Sequence, residues 1–170
     1  MTGVQTCALP IYQMNNRIRI FDSNIFSTYK NHLKPRDYNN SALSTIVFYE
    51  LTATKIDSTK RKFWDSLFRI HSSNQTLITP TAQDWKICSQ ILWQMHSNGE
   101  SVPKTPTALQ NDALICQSAI SWHLENLAER PPCAIITENY KHFLLIADYL
   151  NRRLKKNQPK LLVVNAKNYF

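Results

Sequence analysis

Residues 131–164 read PPCAIITENYKHFLLIADYLNRRLKKNQPKLLVV. Pro131 and Pro132 break whatever precedes them, because proline cannot donate to a helix or sheet hydrogen bond. The apolar run at 133–137 is too short for a helix and fits a buried strand that ends at Thr137. Residues 140–156 read as a helix, and the LLVV at 161–164 is a second strand. Strand, helix, strand in this order is the rhythm of a parallel sheet, whose neighbouring strands need a crossover between them.

The same rhythm continues towards the N-terminus. RIRIF at 17–21 alternates basic and apolar residues before Asp22, so a short strand passes into a helix there. Residues 34–43, with Pro35, Asp37 and two Asn, carry a loop signature. Ser44 or Thr45 then caps TIVFYELTATKI at 45–56. That segment is rich in β-branched residues, but the spacing of Ile46, Val47, Tyr49, Glu50 and Ala53 predicts a helix whose apolar stripe contains one carboxylate. Residues 57–72 predict an amphipathic helix with Phe63, Leu67, Phe68 and Ile70 opposite Lys60, Arg61 and Lys62. A short strand at 77–79 precedes Pro80. A helix over 82–97 turns Trp85, Cys88, Ile91, Leu92 and Met95 inward and ends at Asn98-Gly99. Residues 100–108 form a loop and 109–126 a helix. Strands at 17–21, 77–79, 133–137 and 161–164, each separated by at least one helix, predict a parallel α/β sheet covered on both faces.

Composition narrows the chemistry. Twenty Lys and Arg against twelve Asp and Glu leave a charge of +8 over 170 residues, which favours an anionic partner such as nucleic acid, although basic surfaces also serve acidic proteins. Only Gly99 follows the first 11 residues as a glycine, so the glycine-rich phosphate loops of P-loop and dinucleotide-binding proteins are excluded. Cys7, Cys88, Cys116 and Cys133 lie far apart, and His96, His123 and His142 add no short ligand spacing, so free thiols are expected and a zinc site is not. The four tryptophans, Trp64, Trp85, Trp93 and Trp122, fall on amphipathic helices and are expected to pack. No secretory signal and no membrane span is read, and a cytoplasmic location is expected. Residues 1–11, MTGVQTCALPI, are uncharged beside the Asn-, Arg- and Lys-rich chain that follows. They resemble a translated sequencing adapter, so the domain is expected over residues 12–170.

Acidic residues are scarce, and their positions stand out. In an open parallel sheet the binding crevice lies beyond the carboxyl ends of the strands. Asp22 follows the first strand and Thr137-Glu138-Asn139 follows the third. Asp112 opens a helix, and Glu50 interrupts an apolar face where an unpaired carboxylate is costly. Taken singly, each has an ordinary reading: Asp22 as a helix cap, Asp112 as a partner of a helix N-terminus, Glu50 as a surface residue, Asn139 as a turn residue.

Taken in order, FDSN at 21–24, FYEL at 48–51, NDALICQSA at 111–119 and ITENYKHF at 136–143 resemble the PIN-domain ribonucleases. The resemblance is strongest to the VapC-like toxins of type II toxin–antitoxin pairs and spans residues 20–165. It implies a three-layer α/β/α PIN-like fold with a central parallel sheet of four or five strands. It also implies an endoribonuclease that uses Mg²⁺ or Mn²⁺ to hydrolyse RNA to 5′-phosphate and 3′-hydroxyl ends. The family's metal-binding acids correspond to Asp22, Glu50 and Asp112. Its fourth position falls on Asn139, accompanied by Thr137, and an amide there keeps a ligand oxygen but loses a charge; Glu138 is an alternative fourth carboxylate. Ser23 stands beside the first acid as a donor to a bound water or phosphate, and Asn24 fixes the turn. A small cognate antitoxin and a homodimer are further implications.

The chemistry agrees. Mg²⁺ prefers oxygen ligands and bridges carboxylates to phosphate, whereas three carboxylates without a cation repel one another until one is protonated. An RNA strand entering a negative cleft needs surrounding cations. The candidates are Lys60, Arg61, Lys62, Lys141 and the run Arg152, Arg153, Lys155 and Lys156. Two rival readings remain. A catalytically inactive PIN-like RNA-binding or scaffold protein is suggested by Asn139, and a haloacid-dehalogenase-type phosphatase lacks its second Asp at Asn24.

Overall fold

The computed structural model describes residues 14, 16–29, 31–33, 35–53, 56–100, 107–125 and 127–170. The readings of residues 1–11, with Cys7, and of most of the 100–108 loop lie outside them. Among the described residues the elements run β1 (Ile18–Phe21), α1 (Ser23–Thr28), α2 (Pro35–Asn39), β2 (Ser41–Ser44), α3 (Thr45–Thr52), α4 (Ser58–Ser73) and β3 (Leu77–Ile78). They continue α5 (Ala82–Ser97), α6 (Thr107–Glu125), β4 (Cys133–Thr137), α7 (Tyr140–Arg152), β5 (Leu162–Asn165) and α8 (Ala166–Tyr169).

The five strands are all parallel, in the order β3-β2-β1-β4-β5. The sheet therefore has the expected class and the larger of the two expected strand counts. Successive residues of each strand point to opposite faces, and both faces are buried. Ile20, Ile135 and Val163 face a large cluster with α5, α6 and α7. Phe21, Ala134 and Ile136 face a second cluster with Ile25 of α1 and Ala166 of α8. Leu43, Trp64 and Leu67 extend that second layer under α4.

One strand escaped the sequence reading. The 34–43 loop contains α2 and leads into β2, whose SALS pairs with β1 (Arg19↔Ser41, Ile20↔Ala42) and with β3 (Leu43↔Leu77, Ser44↔Ile78). Two serines in four residues hide a buried strand, because tertiary pairing on both edges outweighs local propensity. Pro35 starts α2 at a position where its missing N–H costs nothing.

Three faces are turned relative to expectation. On α4 the buried residues are Trp64, Leu67 and His71, so Phe63 and Ile70 are exposed. On α3 only Val47 is fully buried, while Tyr49 and Ala53 face solvent, and the helix ends at Thr52 rather than 56. On α5 Trp85 is exposed and Asp84 takes the inward position. A capping box turns Asp84 inward: its carboxylate accepts from the Thr81 backbone and hydroxyl and from Gln117 and Ser121 of α6. Trp93 is exposed as well, so of the four tryptophans, for which core or interface packing is expected, Trp64 and Trp122 lie in the core. The helix expected to 156 ends at Arg152, and the last strand is displaced by one residue. Cys88, Cys116 and Cys133 are free and buried, with their thiols pushed up in pKa by desolvation. No helix among the described residues is long and apolar enough to cross a membrane.

Candidate active site

The strand order places the functional residues. From β1 the chain moves outward through β2 and β3, then returns to β4 on the other side, so β1 and β4 flank the point where the order reverses. In open parallel sheets that point, at the carboxyl ends of the strands, is where a binding crevice forms. Asp22 follows β1 and Thr137 ends β4, in register across the Phe21↔Ile136 pair.

Asp22 is the N-cap of α1 and is 5% exposed. Its Oδ1 accepts from the Ser23 backbone N–H at 2.7 Å. Its Oδ2 accepts from Asn24 Nδ2 and from Thr137 Oγ1, each at 2.7 Å. Burial raises the pKa of Asp22; hydrogen bonds from Thr137 and Ser23 oppose that rise, and the charge of Glu50 adds to it. The fully buried Thr137 hydroxyl also accepts from the Asn139 backbone N–H at 2.9 Å. Asn24 spans the two loops, since its Oδ1 accepts from the Glu138 N–H.

Asp112 lies in the second turn of α6, which starts at Thr107, so the helix N-terminus is not what stabilises it. Asn139 Nδ2 donates to Asp112 Oδ2 at 2.9 Å. Burial pushes the Asp112 carboxyl up to about 7, and the charges of Asp22 and Glu50 add to that rise. The third acid, Glu50, comes from α3, where it is half-buried, and its Oε1 accepts from Asn111 Nδ2 of α6 at 2.7 Å.

Asp22, Glu50 and Asp112, from the β1–α1 junction, α3 and α6, thus lie near enough for their charges to act on one another, and Asn139 of the β4–α7 turn bonds Asp112. Glu138 does not join them; it is exposed and accepts from Thr28 Oγ1 at 2.9 Å. Each of the three acids instead receives one asparagine amide. Among the described residues no three His, Cys, Asp or Glu side chains stand close enough to hold a metal ion in the present arrangement. The donor set is nevertheless all oxygen, and Asp112 is held towards neutrality by burial first and by the charges of Asp22 and Glu50 second. Carboxylate oxygens are the ligand type that a hard divalent cation such as Mg²⁺ or Mn²⁺ prefers.

The basic candidates divide. Lys60 and Arg61 pair with Asp57 and Asp65 on their own helix, at 3.4 Å each. Arg152 pairs with Asp148 and lies over Tyr149, and Arg153 bonds Gln90 of α5. Lys141 is exposed on the first turn of α7, two residues past Asn139. Asn111 was missed as a site residue, although it stands directly before Asp112 in the NDAL string.

No protein-family model matches the sequence, and no curated protein matches it. Solved structures do resemble the fold. The structure of FitAB bound to the IR36 DNA fragment aligns over 88% of this chain and 95% of its own, with a TM-score of 0.52 and 12% identity. DNA-bound VapBC from Salmonella typhimurium aligns over 88% and 98%, with a TM-score of 0.50 and 16% identity. VapBC2 from Rickettsia felis bound to a promoter DNA fragment aligns over 87% and 98%, at 22% identity and a TM-score of 0.46. With its five parallel strands between helical layers, the chain has the PIN-like α/β fold found in FitAB and VapBC complexes.

Proposed function

We propose that this chain, over residues 12–170, is a Mg²⁺- or Mn²⁺-dependent endoribonuclease and the toxin of a toxin–antitoxin pair. One observation carries the reading: three carboxylates, from the β1–α1 junction, α3 and α6, lie near enough at the point where the strand order reverses for their charges to act on one another, with the amide of Asn139 on one of them. Like charges gathered there without a counter-ion are costly, so a role in structure alone leaves them unexplained. The fold, shared with FitAB and VapBC complexes, supports the toxin assignment and a small antitoxin as partner. A homodimer and a cytoplasmic location belong to the same reading.

Asp22, Glu50 and Asp112 would hold the cation, with Asn139 at the fourth position. When bound, the cation supplies an activated water at neutral pH and positive charge beside the phosphate oxygens. The chain's own groups prepare the site. Thr137 and Ser23 hold both oxygens of Asp22 in place. The Asn139 amide occupies Asp112 Oδ2, which leaves Oδ1 to carry a proton while no cation is present. Lys141, beside the crevice, meets the phosphate backbone of the RNA, with the more distant Lys62, Arg152 and Arg153 extending the track.

The test is cleavage of a mixed tRNA and rRNA pool with Mg²⁺, with EDTA, and by Asp112→Asn beside the wild type. Cuts that require both metal and Asp112 are expected. Binding without cutting overturns the enzyme in favour of an RNA-binding scaffold, for which the neutral Asn139 is the structural reason.

A further inference from the structure

We propose that Asn111 is a positioning residue that acts through Glu50, an inference that rests on the metal-dependent reading above. Asn111 Nδ2 reaches from α6 to Glu50 Oε1 of α3 at 2.7 Å, the same length as the Asn24 bond to Asp22. The amide of Asn24 comes from the first turn of α1 and that of Asn139 from the turn before α7, whereas Asn111 is the one that crosses between two helices. Among the described residues it is the sole hydrogen-bond donor to Glu50.

The geometry explains why such a donor matters. Glu50 sits near the end of an eight-residue helix with three side-chain torsions to fix. Left alone, a half-buried glutamate samples several rotamers, and ordering it on ligand binding costs entropy. Taking Oε1 in a short bond fixes the carboxylate plane and leaves Oε2 without a donor. Asn111 and Asp112 are neighbours on α6, so their side chains leave the helix about 100° apart. One turn of α6 therefore serves two partners: the amide holds Glu50 of α3, and the carboxylate meets Asn139 beyond β4. A simple staple between α3 and α6 is not needed, because Val47 of α3 and Ala113 and Leu114 of α6 already belong to one buried apolar cluster.

The experiment measures Mn²⁺ binding by calorimetry on the whole chain without RNA, together with the melting temperature in EDTA. The variants are Asn111→Ala and the volume-matched Asn111→Leu, so that one poorly folding protein does not decide the outcome. Loss of a hydrogen-bond partner behind a metal ligand typically weakens binding about 10- to 100-fold, and that is the expected rise in the Mn²⁺ dissociation constant for both variants. In a Glu50→Gln background the same changes are expected to shift it by less than about twofold, as for residues that act through one another. A lower melting temperature with unchanged Mn²⁺ affinity assigns Asn111 to structure and overturns the inference alone. An undiminished effect in Glu50→Gln overturns it too. Wild-type protein that binds no Mn²⁺ overturns the metal-dependent reading and this inference with it.

Discussion

The hydroxyl of Thr137 donates to Asp22 Oδ2 at 2.7 Å across the junction of β1 and β4, and accepts the Asn139 backbone N–H at 2.9 Å. One buried side chain thereby ties the first acid to the loop that carries the amide on the second. Thr137→Val keeps the shape but takes one of two donors from Asp22 Oδ2 and leaves the Asn139 N–H without its acceptor, and a buried polar group without a partner costs about 1–3 kcal/mol. Urea denaturation is expected to show that loss, and Thr137→Ser to recover most of it. Equal stability of the valine and serine variants would show that the hydroxyl holds nothing.

Asp112 sets the response of the cation-free protein to pH. Its carboxyl is pushed up to about 7 by burial, then by Asp22 and Glu50. An acid whose pKa is raised on folding favours the fold below its unfolded value, near 3.8, and loses that contribution as pH rises through about 7. Melting temperature in EDTA is therefore expected to fall between pH 5 and pH 8, with at most about 4 kcal/mol from this group. Asp112→Asn removes its share of the decline and raises the melting temperature at pH 8, while lowering RNA cleavage about 10³-fold or more. Because the Asp22 pKa is raised as well, a smaller decline can remain, and an undiminished decline in Asp112→Asn refutes the assignment.

Asn139→Asp tests the neutral amide from the other side. A carboxylate placed where the amide donates to Asp112 Oδ2 faces a like charge at hydrogen-bond distance. At pH 8 in EDTA the variant is expected to be about 1–3 kcal/mol less stable than the wild type. Saturating Mn²⁺ should reverse more of that loss than it adds to the wild type, because the added charge strengthens cation binding. A melting-temperature increase with Mn²⁺ no larger than that of the wild type argues against Asn139 at the ligand position.

How much of this was legible follows the physics of each segment. CAIIT at 133–137 announced β4 to the residue, since a run of apolar residues bounded by prolines has few other uses. SALS at 41–44 announced nothing, because β2 owes its existence to partners on both edges. The acids were legible as strand-end and helix positions, and in the structure the charges of Asp22, Glu50 and Asp112 act on one another. Asn111 was not, because an amide carries no signal in sequence until the carboxylate it meets, 61 positions earlier, is known in space. Trp85 was misread for a related reason: the Asp84 carboxylate that caps with Thr81 also accepts from Ser121 and Gln117 of α6, partners that local sequence does not announce.

Lys141 provides the measurement on RNA itself. It is exposed on the first turn of α7, two residues from Asn139, and makes no ion pair among the described residues. Lys60 and Arg61 already have acidic partners at 3.4 Å, so part of their charge is compensated before any RNA arrives. A lysine that contacts one phosphate of a single strand contributes about 0.7 to the slope of log affinity against log salt. Lys141→Ala is therefore expected to weaken binding to the inactive Asp112→Asn protein evenly across RNA sequences and to flatten the slope by about that amount. Lys60→Ala should change the slope by less. The opposite ranking, read from filter-binding titrations at several salt concentrations, would move the RNA track from the crevice to α4.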